Sequence, residues 1–153
     1  MKWLELRIPP LALTVAVVVA MLVTSRWLPG LQVAGPGSTA AVTVVAVAGA
    51  LLAILGVHEF RRARTTVNPL TPDNASRVVS SGVFRFSRNP MYLGMSLLLL
   101  ALALYQSHAL SFVWVAGYVA YLDRFQIRPE ERALEAHFGD EYRAYVAAVR
   151  RWI

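Results

Sequence analysis

Residues 91–122 read MYLGMSLLLLALALYQSHALSFVWVAGYVAYL, 32 consecutive positions without Asp, Glu, Lys or Arg. One helix of that length would be about 48 Å long, against a hydrocarbon core of about 30 Å. Two full spans need about 40 residues, so the stretch is too long for one span and short for two. A tight hairpin of two short helices resolves this, with its turn at the polar residues Gln106, Ser107 and His108, and both ends returning to one side of a bilayer.

Two further uncharged runs lie upstream. Ile8–Ser25, extended to Trp27, is long enough to cross. It follows Lys2 and Arg7 as a signal peptide would, but it is long for one and no small-residue cleavage site follows, so it reads as a span. Pro9 and Pro10 suit a first helical turn, where a missing N–H costs least. After a turn-rich stretch, Thr39–Val57 reads as a second span ending at His58-Glu59. Its Ala46, Gly49, Ala50, Ala53 and Gly56 allow close helix approach in lipid. The expected fold is therefore all-α: one membrane-embedded domain with about four spans (about 8–27, 39–58, 90–106 and 108–123), a loop over 60–89 and a C-terminal segment over 124–153.

Composition agrees. Hydrophobic residues make up 57% and charged residues 16% of the 153 positions, with a mean hydropathy of +0.50. Soluble chains run about 25% charged. The net charge of +6 rests almost wholly on arginine, and in a membrane protein such an excess marks cytoplasmic segments rather than nucleic-acid binding. Residues 61–88 carry six Arg and one Asp, and residues 124–153 carry six more Arg. Between spans one and two there is only Arg26. The N-terminus, the 60–89 loop and the C-terminal segment are thus expected in the cytoplasm, in what the Arg, Ala and Val bias suggests is a bacterial inner membrane. With no Cys, a disulfide, a thiolate metal site and a Cys nucleophile are excluded. No metal-ligand spacing, Rossmann glycine motif or P-loop is present.

The loop 61–90 is too rich in Pro, Asn, Ser and Gly for one helix, yet Val67, Leu70, Val78, Val79, Val83, Phe84 and Phe86 are too apolar for a disordered linker. It is expected to be ordered, ending in Ser87-Arg88-Asn89-Pro90, where Asn89 can cap and Pro90 begin a helix. In the C-terminal segment Pro129-Glu130-Glu131 opens a helix, and the bland reading of the two acids is complementarity to its dipole. Gly139 ends that helix. In the next, Tyr142, Tyr145, Val146, Val149 and Trp152 form an apolar stripe suited to a membrane interface. His58 beside Glu59 reads as an interfacial pair, and His108 as part of an external turn.

Ser87-Arg88-Asn89-Pro90-Met91-Tyr92-Leu93-Gly94, then Glu130-Glu131, then Phe138-Gly139-Asp140-Glu141-Tyr142 and Tyr145 together resemble the isoprenylcysteine carboxyl methyltransferase and phospholipid methyltransferase superfamily. Thr65-Thr66-Val67-Asn68-Pro69 and Ser81-Gly82-Val83-Phe84-Arg85 fit the same pattern, and the resemblance covers about residues 60–153. It implies methyl transfer from S-adenosylmethionine to a lipophilic or membrane-associated carboxylate, amine or thiol. Carried over, Arg88, Asn89, Pro90, Tyr92, Gly94, Glu130, Glu131 and Tyr142 would bind the cofactor, with Arg88 and Glu131 catalytic, in a cytoplasm-facing pocket covered by the C-terminal segment. Asn89 stands where better-known members have His, so no titrating imidazole is available there. The competing expectations are an NADPH-dependent membrane reductase of the sterol reductase type and a non-catalytic membrane scaffold.

Overall fold

The computed structural model describes residues 2–33, 37–64 and 75–153. Thr65-Thr66-Val67-Asn68-Pro69 and Leu70 lie outside the described residues. Those described are helical throughout, with one isolated bridge between Gln32 and His108. The helices are α1 (Pro10–Trp27), α2 (Thr39–Arg62), α3 (Pro90–Gln106), α4 (Ala109–Tyr121), α5 (Arg128–Phe138) and α6 (Asp140–Ala148). Pro10 starts α1 and Pro90 starts α3, each at the first turn. Two helices, α1 and α2, are long and apolar enough to cross a membrane, and only 17% and 11% of their apolar windows are buried by the protein itself. Aliphatic side chains left this exposed along a helix need lipid to cover them.

The hairpin turns where the polar residues sit. Ser107 adopts the left-handed conformation (φ +47°) that ends α3, and α4 begins two residues later. His108 is buried rather than displayed: Nε2 lies 2.9 Å from the Leu28 carbonyl, and the Val33 N–H donates to the Ser107 carbonyl at 2.8 Å. The connection between α1 and α2 thus closes over the turn.

The tightest contact in the fold is α2 against α3. A Cβ added at Gly94 would lie 2.6 Å from the Gly49 carbonyl oxygen and 2.7 Å from the Ala53 nitrogen. The reverse Cβ at Gly49 would lie 2.8 Å from the Gly94 oxygen. These glycines let two backbones touch, as small residues do in lipid. On the other side α1 and α4 pack in a core that joins Met21 and Tyr118 to Leu99 of α3 and Leu122 just beyond α4, with the Thr14 and Tyr118 hydroxyls 2.7 Å apart.

Two expectations change. α2 continues past His58-Glu59 to Arg62, and Glu59 turns away from His58 to bond the Ser81 hydroxyl. The second change is at Pro129-Glu130-Glu131, which does not open an independent helix. The backbone runs on from α4 through a wide π-helical turn, Leu122–Ile127, into α5. Pro129 has no N–H and would clash with the carbonyl four residues before it, and the widened turn directly precedes it. Glu130 and Glu131 therefore sit inside a continuous helical run, and their orientation, not a helix dipole, governs them.

Candidate functional site

The end of α2, the loop before α3, the start of α3, the π-helical turn, α5 and α6 meet around one cavity with about 840 Å³ of atom-free space, its open mouth included. Arg88, Asn89, Tyr92, Glu130, Glu131 and Tyr142 all line it. Positions separated by up to 54 residues (88 to 142) in the sequence are thereby collected on one wall system. The rest of the lining is mostly apolar and aromatic, including Phe60, Val79, Phe84 and Ile127.

Neighbouring glutamates have opposite surroundings. Glu131 is held by two guanidiniums: Arg88 Nη2 at 2.8 Å, and Arg151 through Nη2 at 2.6 Å and Nε at 3.1 Å. Burial pushes its carboxyl up, but the hydrogen bonds from Arg151 and then Arg88 outweigh that and hold it below the ordinary carboxylate value. Glu130 has no cation within ion-pair distance among the described residues. Its Oε1 accepts from the Tyr92 hydroxyl at 2.5 Å and from the Gln126 amide. Burial raises it to about 7, against the lowering effect of those two donors. One carboxylate is thus fixed as an anion, and the other is poised near neutrality.

Arg88 is the hub of the first arrangement. Its Nη1 donates to the Val149 carbonyl at 2.5 Å and the Val146 carbonyl at 3.2 Å, and its backbone N–H donates to the Arg150 carbonyl at 3.0 Å. Its buried Nε has no hydrogen-bond partner among the described residues. Asn89 occupies the N-cap position of α3, but its side chain does not cap. Its amide donates instead to the Arg151 carbonyl at 3.0 Å. Arg88 and Asn89 therefore fasten the residues after α6, a C-terminal strap over 149–153, and the strap returns Arg151 to Glu131 and to Asp123 at 3.0 Å.

The expected interfacial stripe takes a different form. α6 stops at Ala148, Tyr142 turns into the cavity, and the Tyr145 hydroxyl donates to the Phe84 carbonyl at 2.8 Å. Burial pushes both phenols well above their usual range, so they remain O–H groups at neutral pH. Trp152, beyond the helix, packs on the α1–α4 core. Two other expected cofactor residues lie off the cavity. Pro90 is buried at the start of α3, and Gly94 is in the α2–α3 crossing described above.

Sequence reasoning missed Gln126, Arg151 and the pairing role of Asp123. Arg151 carries no signal in its own motif, since only the folded strap brings it to Glu131. Gln126 lies four residues before Glu130, a spacing that does put two side chains on one helical face.

A phospholipid methyltransferase family model matches residues 38–141, well over half of the chain. The chain belongs to the phospholipid methyltransferase family. Membership implies methyl transfer in a membrane setting, in keeping with α1 and α2, and it does not favour a reductase. An uncharacterized protein from Haemophilus influenzae is 44% identical over 63 residues, covering 41% of this chain and all of that relative. No solved structure matches the chain. The family model's range takes in α2, α3, α4, α5 and both glutamates, so most of the cavity wall belongs to the family's shared region.

Proposed function

We propose that the chain is an S-adenosylmethionine-dependent methyltransferase, a single membrane-embedded domain of four spans. On this reading its cavity faces the cytoplasm from a bacterial inner membrane, and its acceptor is a lipophilic or membrane-associated carboxylate, amine or thiol. The observation that carries this reading is Glu130, a buried carboxylate facing an aromatic cavity without a cation of its own. A ligand bearing a positive charge would supply the missing partner, and its cost of entry would be lowest there. The cavity residues fit such a cofactor. Glu130 suits an ammonium group or a ribose diol, the free Nε of Arg88 suits a carboxylate, and Phe60, Phe84 and Tyr142 suit the flat face of a base.

When bound, the cofactor supplies an electrophilic methyl group on a sulfonium. The chain's own work is to align and to dry. Arg88, fixed by Glu131 and the strap carbonyls, holds one end of the cavity. Tyr142 and the apolar lining exclude water from it. Opposite charges that merge in the transition state gain from a site where water does not compete. An amine acceptor must first lose a proton, and Glu130, near neutrality, is the cavity group suited to take it. A carboxylate or thiolate acceptor needs no base. The excess of arginine at the loop and C-terminal segment supports the cytoplasmic orientation.

Calorimetric titration of the detergent-purified protein with S-adenosylmethionine and its demethylated product tests this. Saturable binding is expected, weakened by Glu130→Ala and Glu131→Ala. A folded, monodisperse sample that binds neither ligand, or that binds NADPH instead, would overturn the proposal.

A further inference from the structure

We propose that the face formed by Arg61, Arg62, Arg64, Arg77 and Arg85 is a docking surface for anionic phospholipid headgroups, and that lipid bound there holds the loop forming one wall of the cavity. Three contacts draw these arginines onto one end of α2. The Ser76 hydroxyl bonds the Arg64 carbonyl at 3.4 Å, which brings the chain before Arg77 back to the helix end. The Phe60 and Phe84 rings meet edge to face, 5.2 Å apart, which packs the turn that carries Arg85 against the helix end that carries Arg61 and Arg62. Glu59, buried beneath Gly82, bonds Ser81 and fixes the turn Gly82–Arg85 in place.

None of the five arginines has an acidic partner among the described residues. Glu59, near the end of α2, is 7% exposed and committed to Ser81, and Glu141, which shares a groove with Arg85, makes no ion pair with it. The contrast with the C-terminal segment is sharp. Arg124, Arg128, Arg132, Arg143 and Arg151 are each within ion-pair distance of an Asp or Glu. Orienting a protein in a membrane needs only a count of cations, and both segments meet that count. It does not require that one segment pair five of its six arginines with acids while, among the described residues, five of the six in the other have no acidic partner.

A second observation names the partner. Phe86, directly after Arg85, is 77% exposed. A bare aromatic ring next to bare guanidiniums is the composition that favours a lipid–water interface, where the ring enters the headgroup layer and the cations meet phosphates. A soluble polyanion would give the ring nothing to enter. The same loop carries Val79, Phe84 and Arg88 into the cavity, so its seating on lipid bears directly on the shape of the site. This holds whatever the cavity binds.

The test is thermal unfolding in neutral detergent with added phosphatidylglycerol, phosphatidylcholine or inorganic phosphate. Phosphatidylglycerol is expected to raise Tm saturably, phosphatidylcholine and phosphate not to. The triple variant R61Q/R62Q/R85Q is expected to weaken the apparent lipid affinity by about 100-fold, at about fivefold for each arginine removed. F86S is expected to weaken it less. R124Q/R128Q, which removes ion-paired arginines, is expected to leave the lipid response intact. If the triple variant does not fold, high salt applied to the wild-type protein must abolish the phosphatidylglycerol effect. A lipid response equal for both headgroups, one reproduced by phosphate alone, or one that survives both the triple variant and salt, would overturn the proposal.

Discussion

The two halves of the cavity are built on opposite principles. Around Glu131 every charge is answered: two arginines, one further aspartate and three backbone carbonyls of α6 and the strap form a closed lattice. Around Glu130 the partners are a phenol and an amide, and no cation lies within ion-pair distance among the described residues. The difference separates residues that hold the site together from the residue with capacity left for a ligand. A satisfied buried ion-pair network resists change because removing one member strands another charge, whereas an unpaired carboxylate can accept a newcomer without breaking anything.

Breaking the closed half should have the largest effect. Arg88→Ala removes the hub, strands Glu131 on one side and unties the strap, and it is expected to cost about 3–5 kcal/mol of stability, read by thermal or denaturant unfolding. Methyl transfer should be lost with it. A variant as stable as the wild-type protein would show that the lattice does not hold the site.

The open half should respond in function rather than in stability. Glu130→Gln keeps the shape of the side chain and strands no cation. It is expected to keep or raise Tm while weakening S-adenosylmethionine binding by about 10–100-fold, the loss of one charged hydrogen-bonding partner. Glu131→Gln should do the reverse, losing stability first. If the two variants behave alike in both assays, the division between the halves fails.

A pH titration sharpens the same contrast. The folded Glu130 carboxyl, at about 7, lies above its ordinary value of 4.5, so the folded protein binds more protons than the unfolded chain between those limits. Stability tied to this group therefore falls as pH rises through that window, by at most about 3 kcal/mol, and Glu130→Gln should flatten the decline. Glu131 has the opposite sign. Its carboxyl lies below the ordinary value, so its contribution is present at neutral pH and is lost only as pH falls through the acid range. Binding of a cationic ligand at Glu130 should strengthen as pH rises from 6 to 8 and release protons, which calorimetry in buffers of different ionisation enthalpy detects.

The smallest effect is expected at the edge of the closed half. Asp123 shares Arg151 with Glu131 and Arg128 with solvent. Asp123→Asn leaves Glu131 in place to hold Arg151, so a loss of about 1 kcal/mol or less is expected, measured by unfolding at low and high salt. A larger loss would extend the lattice further toward α4 than the ion pairs at Glu131 indicate.

Much of this was legible in the sequence. The 32 uncharged residues from Met91 dictated a hairpin because neither one helix nor two full spans fits that length, and the polar triplet at Gln106–His108 marked the turn. The arginine-rich segments marked the end of the molecule that holds the cavity, and the small residues of α2 marked a close crossing. Arg88, Tyr92 and both glutamates could be named because their order matches a family pattern. What the one-dimensional pattern could not carry was direction. Glu130 and Glu131 are adjacent and chemically identical, but on a helix they point about 100° apart. Only the neighbours that packing brings to each decide that one is locked between Arg88 and Arg151 while the other faces the cavity beside Tyr92. The same holds for Gly94. Its spacing is that of the motif, yet the path of α2 past it makes it a contact between backbones. Hydrophobic length is a property of the chain and marks which helices are long and apolar enough to cross a membrane. The pairing of charges is a property of the folded arrangement, set by which side chains the strap and the widened turn at Leu122–Ile127 bring within a few ångströms of one another.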